Sequence, residues 1–211
     1  MPLVMQTFEK LSFGEVDLYL LRYDTLDIAS NKKKLLPDEQ NQMEQFKHPK
    51  RKQQYLAVRL IKNEIFPNQI IQYSEIGAPF IDKEGYISIS HSSEVAGLAY
   101  CPTFQIGLDL ETIRKDVLRV TEKFLGREEK LNFDVNNTLD MTKIWSGKEA
   151  LYKLSGEKGL IFANALRLHH LMNNDWIGCI QSDEGKRKVK MHIQQHQDFV
   201  ISLNIEPIEI Q

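Results

Sequence analysis

The order of apolar and polar positions along the chain predicts its elements. Val16 to Tyr23 (VDLYLLRY) consists of residues that suit a strand. Leu36-Pro37-Asp38-Glu39 reads as a helix start, with proline near the first helical position and acids in the first turn. Pro49 interrupts that helix. A second helix is predicted from about Lys50 to Phe66, its apolar side formed by Leu56, Leu60, Ile61 and Ile65, and Pro67-Asn68 ends it. From Gln69 to Tyr100 short β-prone runs are divided by the turn residues Gly77-Ala78-Pro79 and Asp82-Lys83-Glu84-Gly85.

Gln105 to Leu110 (QIGLDL) predicts another strand, Val117 to Lys130 a helix and Phe133 to Asp140 a loop. Thr142 to Leu154 is the clearest helical pattern in the chain, with Ser155-Gly156 as its exit. Strand-like runs follow at Asp175–Gln181, Arg187–Ile193 and Phe199–Ile205, with a turn at Gly185 between the first two. The order is strand, helices, strands, and then the same again, so two halves of similar build are expected. Strands grouped by short turns favour an antiparallel α+β fold over a doubly wound parallel sheet.

Composition narrows the function classes. The 27 basic and 29 acidic residues nearly cancel, leaving a formal charge of −2, whereas a dedicated nucleic-acid binder usually carries a basic excess. Cys101 and Cys179 lack any ligand-like spacing and sit in apolar stretches, so both read as small buried hydrophobes. Met1 to Leu20 carries Glu9, Glu15 and Asp17 and lacks the order of a signal peptide; no apolar run approaches the roughly 20 residues of a membrane helix. A cytoplasmic protein without nucleic-acid or membrane partners is expected.

Four places could carry chemistry. In Ile106-Gly107-Leu108-Asp109-Leu110-Glu111, strand alternation projects Asp109 and Glu111 together while Leu108 and Leu110 face the core. Paired carboxylates repel unless a cation or a proton compensates, and Mg²⁺ takes a few such oxygens with water and phosphate; two surface acids at a strand end is the plainer alternative. On the helix holding Trp145-Ser146-Gly147-Lys148-Glu149, the residues Trp145, Glu149 and Lys153 share one face. Glu149 and Lys153 have the spacing of an ordinary surface ion pair, but the tryptophan one turn earlier points to a face that is not freely solvated. Third, Ser88 and Ser90 alternate with Ile87 and Ile89 and lead into His91, which could meet a phosphate or cap a turn; no GxSxG elbow accompanies it. Fourth, Lys47 to Lys62 holds Lys47, Lys50, Arg51, Lys52, Arg59 and Lys62 without one acid, either a solvated helix face or a platform for several phosphates. His169, His170, His192 and His196 read as structural or solvated. No glycine-rich phosphate loop is present.

The order Ser90-His91-Ser92, then Ile-Gly-Leu-Asp-Leu-Glu, then Trp-Ser-x-Lys-Glu-Ala-x-x-x-Lys resembles the 4'-phosphopantetheinyl transferases, and within them the double-length monomeric (surfactin-synthetase-activating) class. Asp109 lies 18 positions after His91 and Glu149 lies 40 after Asp109, which fits the same family. The similarity runs from about Gly77 to Leu160. It implies two α+β halves in a pseudo-twofold arrangement, 1–103 binding coenzyme A and 104–211 holding the catalytic carboxylates. It further implies transfer of the phosphopantetheine arm of coenzyme A to a serine of an apo acyl or peptidyl carrier protein, releasing adenosine 3',5'-bisphosphate. Asp109, Glu111 and Glu149 would then hold Mg²⁺, Glu149 would act as the base, Lys153 would contact phosphate, and Ser90 and His91 would bind the adenosine-end phosphates. Lys158 would line the pocket.

Two positions depart from the family pattern. Ala78 stands where Gly-Lys-Pro would place a lysine, and Gln54 stands where an arginine often precedes the Leu-Ala-x-Arg helix. Lys50, Arg51, Lys52 or Arg59 is left to supply the missing charge. Two other readings share these residues: a Mg²⁺-dependent hydrolase of a nucleotide or pyrophosphate, and a non-catalytic module for coenzyme A or carrier proteins. A monomer is the family expectation.

Overall fold

The computed structural model describes residues 6–183 and 185–210. Met1 to Met5, on which the expected first half and part of the expectation about a signal peptide fall, lie outside them. The chain divides into two compact units, Met1–Pro102 and Thr103–Gln211.

In the first unit, β1 (Gln6–Phe13) and β2 (Val16–Tyr23) form an antiparallel hairpin. Three helices follow, α1 (Ile28–Lys32), α2 (Pro37–Glu44) and α3 (Pro49–Ile65). A small ribbon of β3 (Gln72–Tyr73) and β4 (Pro79–Phe80) leads into β5 (Tyr86–His91) and β6 (Val95–Cys101). The sheet order is β1-β2-β6-β5, every pair antiparallel, and α3 packs on β2 and β6. Its core gathers Leu21, Leu56, Leu60, Ile61, Ala96 and Leu98. The strand at Val16–Tyr23 and the helix after Pro49 occur as their patterns predict. β1 and α1 carry no pattern strong enough to have announced them.

In the second unit β7 (Leu108–Thr112) leads through a 3₁₀ turn (Lys115–Val120) to the short helices α4 (Thr121–Phe124) and α5 (Arg127–Asn132), then to the long α6 (Thr138–Ser155) and short α7 (Phe162–Ala165). The strands β8 (Leu166–Met172), β9 (Asp175–Ser182), β10 (Gly185–His196), β11 (Phe199–Asn204) and β12 (Glu209–Ile210) complete it. The sheet order is β7-β11-β10-β9-β8, again antiparallel, with β12 beside β10. Both units are α+β, and in each a late strand lies between an early strand and the strand that precedes it in the chain: β6 between β2 and β5, β11 between β7 and β10.

Local differences from the sequence reading have identifiable causes. The helix expected over Val117–Lys130 breaks at Leu125 and Gly126, both extended. A continuous helix would need the Phe124 carbonyl as an internal acceptor, but the buried Lys148 ammonium takes it at 2.6 Å. The strand expected from Gln105 starts at Leu108, because the Asn204 side chain occupies the preceding backbone, accepting from Gly107 N–H at 2.8 Å and donating to the Gln105 carbonyl at 2.9 Å. Helix α6 starts four residues before its predicted Thr142, since the Asn137 carboxamide oxygen caps Leu139 and Asp140 N–H. It ends at Gly156, which takes the left-handed conformation (φ 70°) that glycine adopts without a Cβ clash.

Candidate active site

β7 has two faces. Leu108 and Leu110 are buried on one, and Asp109 and Glu111 project from the other, toward α6, which packs on β7 and β11. The approach of strand and helix is unusually close. A Cβ on Gly107 would lie 2.0 Å from the Ala150 carbonyl oxygen and 2.9 Å from Leu154 Cβ, so only glycine fits there.

Along α6, Trp145, Glu149 and Lys153 lie at successive turns and all are half-buried. Lys153 Nζ donates to the Leu108 carbonyl at 2.7 Å and to Asp109 Oδ1 at 3.0 Å. Trp145 Nε1–H donates to Glu111 Oε2 at 3.3 Å, and Arg114 meets Glu111 Oε1 at 3.2 Å. The helix face therefore grips one strand carboxylate near each of its ends, with Glu149 on the turn between. The plain surface-pair reading of Glu149 and Lys153 is replaced by a lysine that ties helix to strand.

The electrostatics follow from this crowding. Burial pushes the Glu149 carboxyl up to about 7; the Asp109 charge adds to the rise, Lys153 opposes it, and Glu111 adds a smaller push. Glu111 is raised as well, first by burial and then by Asp109, against Arg114 and the Trp145 hydrogen bond. The three carboxylates thus sense one another. Among the described residues no three His, Cys, Asp or Glu side chains form a ready-made cation cage. Mg²⁺ does not require one, because it binds through one or two carboxylates and completes its octahedron with water and substrate phosphate. One buried and two half-buried carboxylates that repel one another are donors such a cation relieves, so the residues present fit it.

The residue before Glu149 has a different environment. Lys148 is fully buried and donates to Glu129 Oε2 at 2.6 Å, to the Phe124 carbonyl at 2.6 Å and to the Phe162 carbonyl at 3.4 Å. Neither Glu129 nor the role of Arg114 on Glu111 was read from the sequence. Arg114 had a signal, being three residues after Glu111; Glu129 had none, because its partner is 19 residues away.

In the first unit His91 ends β5, and Arg51, near the start of α3, brings Nη1 to 2.8 Å from His91 Nε2. A guanidinium only donates, so Nε2 accepts and the imidazole carries its proton on Nδ1. Ser90 is buried beside it in sequence. Lys52 lies 3.5 Å from Glu44, which also binds Lys32. The idea of a six-charge platform needs correction. Lys47, Lys50 and Arg51 are exposed, but Lys62 is buried 3.0 Å from Glu39, and Arg59 is buried over the Tyr55 ring with Nη1 donating to Tyr73 OH at 3.2 Å. Their apolar helix face turns inward and carries the two charges with it.

Among the remaining predicted positions, Lys158 is exposed in the turn after α6, next to Gly159. Ala78 is exposed in the loop that Ser74 closes, Ser74 N–H donating to the Ala78 carbonyl at 3.0 Å. Gln54 is half-buried. Cys101 is buried as expected, whereas Cys179 is only half-buried; neither is in a disulfide. His170 packs on Trp176 and bonds the Asn173 carbonyl, and His192 bonds Gln194. No helix among the described residues is long and apolar enough to cross a membrane.

Residues 105–204 match the family model of the 4'-phosphopantetheinyl transferase superfamily. The match covers Asp109, Glu111, Trp145, Glu149 and Lys153, and it supports that superfamily and phosphopantetheinyl transfer as the general activity. No curated protein sequence gives a significant match.

Proposed function

We propose that this protein transfers the 4'-phosphopantetheine arm of coenzyme A to a serine hydroxyl of an apo acyl or peptidyl carrier protein, with adenosine 3',5'-bisphosphate as the leaving product. The observation that carries the reading is the meeting of Asp109, Glu111 and Lys153 around the turn of Glu149, inside the stretch the superfamily model matches.

Asp109, Glu111 and Glu149 are the residues that would hold Mg²⁺, and the bound cation would neutralise charge on the pyrophosphate. Phosphoryl transfer needs chiefly positioning and charge neutralisation. Glu149, whose carboxyl burial pushes up to about 7, is suited to take the serine proton as the oxygen attacks the phosphorus next to the pantetheine arm. Lys153 stands with its ammonium against Asp109 and offers positive charge as the phosphate of the leaving group departs. Arg51, Lys52, Ser90, His91 and Lys158 are assigned to the phosphates of coenzyme A, with Arg51 and His91 2.8 Å apart. The first unit is read as the coenzyme A-binding half and the second as the catalytic half. The protein is read as a cytoplasmic monomer of the double-length class.

Intact-mass measurement of an apo carrier protein incubated with this chain, coenzyme A and Mg²⁺ tests the reading. A gain of one phosphopantetheine arm, abolished by EDTA and by Glu149→Gln, is the expected result. Coenzyme A cleavage without any carrier would instead identify a hydrolase. Coenzyme A binding that ignores Mg²⁺, with no transfer, would identify a binding module.

A further inference from the structure

The buried Lys148–Glu129 pair holds more than its own helices. The Lys148 ammonium has three donors, and its acceptors are Glu129 Oε2 and the carbonyls of Phe124 and Phe162. Glu129 is equally engaged: Oε2 also accepts from Gly126 N–H at 2.8 Å, and Oε1 accepts from Leu168 N–H at 2.9 Å. One ion pair therefore ties α6 to the end of α4, the start of α5, α7 and β8.

The two residues whose carbonyls Lys148 holds are those whose rings flank Trp145. The Phe124 centroid lies 5.3 Å and the Phe162 centroid 5.6 Å from the Trp145 ring. Trp145 in turn donates its indole N–H to Glu111 Oε2. The connection is continuous: ammonium, two backbone carbonyls, two rings, one indole, one carboxylate. A fully apolar replacement of a buried ion pair often preserves stability, and fixing geometry is the best-attested use of such a pair.

The geometry points to Lys148 and Glu129 as a positioning pair for Glu111, acting through the two phenyl rings that pack against Trp145. The inference rests on Glu111 being a site carboxylate that serves Mg²⁺. It makes Lys148 a positioning residue, although it adjoins Glu149 in the chain.

The test uses the double variant Lys148→Met/Glu129→Gln, which removes both charges without leaving either one buried alone. Two measurements are made on the folded full chain: the indole N–H resonance of Trp145, assigned with Trp145→Phe, and the Mg²⁺ concentration giving half-maximal transfer. The indole signal should move toward its position in Glu111→Gln. Half-saturating Mg²⁺ should rise about 10-fold, as for other partners that orient a metal ligand, with the rate at saturating Mg²⁺ largely kept. Phe162→Leu, which leaves the ion pair intact and removes one of the two rings packed against Trp145, should move the indole resonance the same way, and it carries the test if the double variant does not fold. An unchanged Trp145 resonance in a folded variant overturns the proposal. If the wild-type chain transfers nothing, the reading of function fails, while the indole measurement still decides whether the pair positions Glu111's partner.

Discussion

Lys153 on α6 donates its ammonium to Asp109 Oδ1 on β7 at 3.0 Å, across 44 residues of chain. This bond makes the site a property of two elements and not of one helix face. Replacing Lys153 by Met should lower transfer by about 100- to 1,000-fold, the range for loss of one donor aimed at developing charge. Asp109→Ala should remove measurable transfer. Single-turnover mass measurement on a carrier protein reads both, and wild-type rates in either variant would break the assignment.

Glu149 gives the chain a pH signature. Its folded-state pKa, raised to about 7, lies above the ordinary 4.5, so between those values the native state holds a proton that the unfolded chain has released. Stability of the metal-free protein should therefore fall as pH rises from about 4.5 through 7, by on the order of 2 kcal/mol after allowance for partial exposure. Glu149→Gln removes that loss. Its melting temperature should exceed wild type's by several degrees at pH 8 and converge with it near pH 4, as differential scanning calorimetry without divalent ions will read.

The same crowding predicts a metal response. Millimolar Mg²⁺ should raise the melting temperature of the wild-type chain at pH 8, and the rise should shrink in Glu111→Gln and Glu149→Gln, because a ligand stabilises in proportion to its occupancy. An equal rise in all three would place the cation elsewhere.

Gly107 sets the separation of β7 and α6. Gly107→Ala would force its Cβ against the Ala150 backbone oxygen, which no side-chain rotation relieves. A cost of about 1–3 kcal/mol is expected, together with loss of transfer as Asp109 is moved from Lys153. Chemical denaturation and the transfer assay check the two effects on one sample.

Arg51 and His91 should act jointly. Each change to Ala should weaken coenzyme A binding, and the double variant should lose less than the sum, because the two side chains are 2.8 Å apart. Ala78→Lys, at an exposed position, should tighten binding. Titration calorimetry with coenzyme A measures all four proteins, and strict additivity would separate the pair.

The chain's own order of residues announces elements whose signals are local. Val16–Tyr23, the helix after Pro49 and the Gly156 exit of α6 are legible because strand alternation, proline and glycine act within a few residues. The shared face of Trp145, Glu149 and Lys153 is legible for the same reason: helical periodicity sets it before any partner arrives. Tertiary structure decided what each face meets. It turned Lys62 and Arg59 of a basic run into buried partners of Glu39 and two tyrosines. It broke the expected 117–130 helix by giving the Phe124 carbonyl to Lys148, and it sent Lys148 inward while Glu149 stayed at the site. Periodicity specifies which residues share a side, but the partner of that side depends on strand register and on how closely helix and sheet approach. Those are set by contacts between residues far apart in the chain, here by a glycine that lets β7 reach α6.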